Sequence, residues 1–148
     1  MSRAIVLALL VVLSLALVCS CAPALPGDLY AGTWATTTTD GRAVVVFDGP
    51  LSARVALSRA EPCGGVNTAS VNVVLAQIDS RPTFSVRASA MCRESVVDCA
   101  PRRDLCAALR FAPFALDGSP HALALQRGQL RVTQTTSADF ASYTFDRE

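Results

Sequence analysis

Residues 32–48 read GTWATTTTDGRAVVVFD. Two runs rich in Thr, Val and aromatic residues flank Asp40-Gly41, and those residue types fit a pleated, half-buried surface. The Asp-Gly pair supplies the positive φ that a tight two-residue turn requires, so 32–39 and 42–48 are expected to pair as a hairpin. The pattern continues outward. Residues 51–58 (LSARVALS) place Leu51, Ala53, Val55 and Leu57 on one face against mostly polar neighbours, the period-two signature of a half-buried strand. Residues 71–76 form a denser apolar run, and 83–90 alternate through Phe84, Val86 and Ala88. A turn over 79–82 would pair these two.

One helix is expected, over residues 101–110 (PRRDLCAALR). Pro101 or Asp104 starts it, and Leu105, Ala108 and Leu109 form its buried stripe. Strands then resume at 111–116, 122–126, 129–135 and 140–145, with turns at Asp117-Gly118 and Arg127-Gly128. Short strands at close spacing with Gly turns give a mainly β (α+β) fold: an antiparallel, curled or barrel-like sheet with one short helix against it. No internal repeat is present, and the Thr36 to Thr39 tract reads as an exposed strand.

The beginning of the chain has a different character. Arg3 precedes a predominantly apolar stretch of fifteen residues, 4–18, and Pro23, Pro26 and Gly27 follow. That run is short for a membrane span of about 20 residues and fits a cleaved leader. Val18-Cys19-Ser20-Cys21 has the spacing of a bacterial lipobox, which makes Cys21 the lipidated first residue and discards Cys19; Ala22-Pro23-Ala24 is the competing ordinary cleavage site. The expected division is a signal peptide over 1–20, a lipid-anchor tether over 21–29 and a β domain over 30–148. Loss of Arg3 leaves twelve Arg against 12 Asp and Glu. Such a balance argues against a nucleic-acid partner or a polybasic membrane patch.

Either cleavage leaves four cysteines for the fold: Cys63, Cys92, Cys99 and Cys106. An even number of thiols in an exported chain points to two disulfides. Three connectivities exist and spacing does not choose among them. The expected pairing is Cys63 with Cys92 and Cys99 with Cys106, the second closing the short segment around Pro101. Zinc is the alternative use of four thiolates, but the C-x6-C-x6-C spacing lacks the close pairs of structural zinc sites, and the one histidine, His121, lies well downstream.

The order of motifs resembles the META domain family, the group that includes HslJ-like bacterial lipoproteins. The shared features are Gly32-Thr33-Trp34 opening a strand, the apolar strand and turn VVVFDG, CGGVN at 63–67, ASAMC at 88–92, the helical DLCAAL, and the hairpin FALDGSPHALALQRGQL. They cover residues 32–135. The resemblance implies a small, mainly β domain, commonly exported and lipid-anchored, with no catalytic residues to carry over.

Few residues offer chemistry. In DGSPH, Asp117, Ser119 and His121 lie close together, yet a triad also needs a base that reaches its nucleophile beside an oxyanion hole, and residues of this kind more often build a turn. Arg93 beside Cys92 would lower a thiol pKa, although a structural disulfide is the expected state in an oxidising compartment. Trp34, the only tryptophan, is expected to plug the core rather than anchor a partner. No cofactor motif is present: there is no G-x-G-x-x-G and no phosphate loop.

The expectation is a non-enzymatic envelope protein, lipid-anchored in the cell membrane or outer membrane and facing the extracytoplasmic side. It would bind an envelope protein or a small ligand, or support the envelope under stress. The alternative is a secreted, disulfide-stabilised inhibitor or ligand-binding module presenting the segment 92–106.

Overall fold

The hairpin expected around Asp40-Gly41 is present, but its turn is Thr39-Asp40, and Gly41 is already paired with Thr38 in the second strand. In the computed structural model, which describes residues 24–78, 82–96, 104–110, 114–135 and 141–148, β1 (Gly32–Thr38) pairs antiparallel with β2 (Gly41–Gly49). Gly41 enters β2 with φ +138°, and a Cβ there would strike the Ser58 carbonyl. The leader expected over 1–20, with Cys19 and Cys21, lies outside the described residues.

From β2 the chain meanders. β3 (Ser52–Ala60), β4 (Val66–Gln77) and β5 (Thr83–Ala88) each pair antiparallel with the strand before. After an excursion through β6 (Arg93–Ser95), β7 (Asp117–Gln126) returns to pair with β5, followed by β8 (Gln129–Gln134) and β9 (Ser142–Arg147). β9 then pairs with β1, Trp34 opposite Arg147, so eight strands close into a barrel. Closure gives each of the eight strands a partner on both sides, while β6 pairs with β4 alone.

Period-two alternation becomes an inside and an outside. Val45 stands opposite both Trp34 and Val55, Val55 opposite Val71, Leu75 opposite Val86, and Leu130 opposite Phe145, and all of these are buried. A ring of eight strands is about wide enough for side chains to fill it, and here they do.

The two ends are closed differently. At one, α1 (Pro26–Leu29) docks through Gly27, whose N–H donates to the Pro50 carbonyl (3.0 Å). Tyr30 follows it into the core, its hydroxyl donating to the Leu123 carbonyl (3.0 Å) and its ring centroid 5.7 Å from that of Phe47. Trp34 Nε1 donates to the Tyr30 carbonyl (2.7 Å), and Arg147 lies over the indole. At the other end lies α2 (Leu105–Leu109), started by Asp104, whose carboxylate accepts from the Ala107 N–H (2.8 Å). Leu105 and Leu109 are buried against β3 and β4.

Several expectations need correction. The mainly β, barrel-like reading holds, but the described residues carry two helices, of four and five residues, too little for an α+β fold. The second is the helix expected over 101–110, of which 101–103 lie outside the described residues. No strand occupies 114–116, the described part of the strand expected over 111–116; the Leu116 N–H instead donates to the Arg110 carbonyl (3.2 Å). Asp117-Gly118 is not a turn but the start of β7, where Gly118 takes φ +96° beside a register shift against β5. β4 begins at Val66 rather than Val71. Within the tether expected over 21–29, Pro26 is already buried.

Candidate functional site

Among the described residues, the barrel wall has one place where a strand changes partner. Residues 73–77 of β4 face β5, whereas Thr68 to Ser70 face β6. Between them β5 ends at Ala88, and the chain leaves the wall with one remaining tie: the N–H and hydroxyl of Ser89 both donate to the Asn72 carbonyl (2.8 and 3.0 Å). α2 lies across the opening. A Cys92–Cys106 disulfide, Cα atoms 5.9 Å apart, fastens it to the chain that left the wall. Glu94 makes a second tie by accepting from the Cys106 N–H (2.7 Å).

The result is an apolar notch of about 330 Å³. Buried Val71 and Leu109 line it with Ala88, Ala90, Met91, Leu116 and the disulfide, and the exposed Arg110 and Asp117 stand at its rim. Met91 is 89% exposed. A flexible, polarisable thioether beside an apolar cavity is suited to an adaptable binding surface. Because consecutive barrel strands run in opposite directions, the end of β5 and the start of β7 share the end of the barrel opposite α1. The notch therefore opens away from the N-terminal segment.

The disulfide corrects the expected pairing. Cys92 bonds to Cys106, not to Cys63, because α2 folds back over β4 and beside β6. Cys63, in the loop between β3 and β4, is also disulfide-bonded. Cys99 lies outside the described residues. With its sulfur in a disulfide, Cys92 has no thiol for Arg93 to activate.

Asp117, Ser119 and His121 stay close without forming a relay. The Asp117 carboxylate accepts from the Ser119 N–H (2.9 Å), and hydrogen bonding from the Ser119 side chain and backbone holds its pKa below the usual carboxylate value. His121 points into the barrel, 1% exposed, with its ring edge toward Phe114. Its Nδ1 lies 2.8 Å from the Ser119 carbonyl and Nε2 accepts from the Ala115 N–H (3.1 Å), an arrangement that assigns the proton to Nδ1. Both ring nitrogens are used by the backbone, and the Ser119 hydroxyl serves Asp117. The group staples the start of β7 to the segment before it.

Burial pushes the His121 pKa down, against the smaller upward pull of the Ser119 carbonyl and Asp117. The folded protein thus holds His121 neutral where the unfolded chain would bind a proton. Stability is full above the unfolded value of about 6.5 and falls as pH drops through the lowered folded value. His121→Gln can keep both hydrogen bonds without titrating, and this is the only histidine in the chain. Melting temperatures between pH 7 and 5 are expected to fall for the native protein and stay nearly level for the variant; parallel curves would contradict the assignment.

Trp34 is 2% exposed and plugs the core, as its place in the first strand indicated. Among the described residues, no group of three or more His, Cys, Asp or Glu side chains could hold a metal ion. The sequence reading missed the buried pair at the mouth of the loop 61–65, where Asn67 Nδ2 donates to Glu61 Oε1 (3.0 Å). Neither residue belongs to a motif that would mark it. It also missed the notch, which depends on a change of strand partner. No family model, curated protein or solved structure matches the chain.

Proposed function

We propose that this chain is an exported, lipid-anchored protein of a bacterial cell envelope that binds a small ligand in the notch and does not transform it. The observation that carries the binding reading is the notch itself, an apolar cavity within the about 300–1,000 Å³ range of small-molecule sites, flanked by a nearly fully exposed methionine. Its position fits the anchor. α1 docks at the opposite end of the barrel, so a domain held at Cys21 presents the notch away from the membrane surface.

The anchor is supported by the apolar leader, the spacing up to Cys21 and a motif order that resembles the META domain family. It places the protein on the extracytoplasmic side of the cell membrane or outer membrane, where support of the envelope under stress is the physiological role that follows. Cells fed a clickable fatty acid are expected to label the protein, and Cys21→Ala to abolish the label. An unlabelled protein beside a labelled control lipoprotein would contradict the anchor. For the ligand, native mass spectrometry of the exported chain is expected to show a retained small molecule that is lost on unfolding. Capture of a hydrolase by the segment 92–106, with no small molecule bound, would favour the secreted-inhibitor reading, whose support is the disulfide that closes that segment.

A further inference from the structure

The notch does not end at Met91. On the outer face of the same wall, Arg54 of β3, Ser70 and Asn72 of β4 and Arg93 of β6 line a trough of about 220 Å³. This trough shares Val71, Ala90 and Met91 with the notch. Register places Arg54 opposite Asn72 and Arg93 opposite Ser70, so the two arginines flank β4 from either side.

Both arginines are exposed, and neither makes an ion pair or side-chain hydrogen bond among the described residues. Some of the other arginines are engaged: Arg42 pairs with Glu148, and Arg147 packs over Trp34 and donates to the Ala31 carbonyl. Among the described residues, no carboxylate lines the trough. Arg110, by contrast, shares the notch rim with Asp117, which balances the charge at that mouth. A local cationic excess on a chain with almost no net charge is a specific feature, and two guanidinium groups are well suited to a carboxylate or phosphate.

We infer that the notch and trough together hold a single-chain amphiphile with an anionic head, a fatty-acid carboxylate of medium chain length. Its tail lies against Val71, Ala88 and Leu109, and its head sits between Arg54 and Arg93. The cavity is at the small end of the about 300–1,000 Å³ range, which favours one short tail over two long ones. Asp117 disfavours an anionic head at the other mouth and so sets the direction of binding. This inference rests on the proposal that the notch is a binding site.

The test uses the whole exported chain in discs of zwitterionic lipid, with empty discs subtracted, titrated with decanoate and with decanol. Decanoate is expected to bind about tenfold more tightly than decanol, as hydrogen bonds to a charged group allow. Arg54→Gln with Arg93→Gln should remove that margin and leave decanol binding unchanged. These are exposed side chains, so the unfolding transition of the double variant should match the native one. Equal affinity for the two probes, or a double variant that still prefers decanoate, would overturn the head-group assignment while leaving the notch as a binding site. Failure of both probes to bind would overturn the notch reading as well.

Discussion

Trp34→Ala is expected to lower the unfolding free energy by about 3–5 kcal/mol, a large share of the roughly 5–15 kcal/mol of a typical domain. The indole is 2% exposed, faces Val45 across the first hairpin and fills the barrel where α1 closes it. Its Nε1 is also the donor to the Tyr30 carbonyl (2.7 Å), and Tyr30 in turn reaches Leu123 on the far wall. Truncation therefore leaves a cavity, an unsatisfied carbonyl and a cation, Arg147, without its aromatic face. Trp34→Phe separates these effects. It keeps much of the volume and removes the donor, for an expected loss of about 1–3 kcal/mol. Urea unfolding followed by circular dichroism gives both numbers. A loss below about 1 kcal/mol for Trp34→Ala would mean that the residue is not a core plug.

Replacing both Cys92 and Cys106 by serine is expected to cost about 3 kcal/mol, the loop-closure value for a cross-link spanning roughly 15 residues; the two cysteines are 14 apart in sequence. Much of the damage should be local. α2 has five residues, far fewer than the roughly 12–15 at which an isolated helix becomes even marginal in water. It depends on the disulfide, the Asp104 cap, the Glu94 bond to the Cys106 N–H and the burial of Leu105 and Leu109. The double variant should thus lose ligand binding at the notch before it loses the barrel, with Trp34 fluorescence still that of a buried indole. A non-reduced peptide map of the native protein is expected to contain the 92–106 cross-link. A peptide joining Cys63 to Cys92 would contradict this account.

Local features of the sequence carried much of the fold. Asp40-Gly41 between two β-rich runs located the hairpin, and the alternation of Ala53, Val55 and Leu57 named the inward face of β3, although Leu51, expected on the same face, precedes the strand and is 40% exposed. The misses have physical causes. The first half of β4 places Asn67 and Ala69 inward, so its buried face lacks the large apolar residues that make alternation visible. Gly118 looks like a turn residue because it does adopt a positive φ, but it does so where the register of β7 shifts against β5. β6 is three residues long and exists because β4 extends past the end of β5.

The candidate site was legible only in its ingredients. ASAMC and DLCAAL were both visible as motifs, but their meeting through Cys92 and Cys106 is a property of the closed barrel and of α2 folding over it. Loop-closure entropy changes only slowly with loop length, so cysteine spacing alone could not rank the connectivities. The trough is hidden for the same reason. Arg54 and Arg93 are far apart in sequence and become neighbours only because β3 and β6 flank β4.

The claim on which the rest depends is that a ligand enters the notch. The chain has two methionines, Met1 in the expected leader and Met91 at the notch, and one tryptophan at the opposite end of the barrel. Methyl-labelled methionine therefore reports on the notch, and the Trp34 indole N–H is the internal reference. On titration with decanoate, the Met91 methyl resonance is expected to shift to saturation while the indole resonance stays in place. A saturable shift at Trp34 with Met91 unmoved would contradict the account.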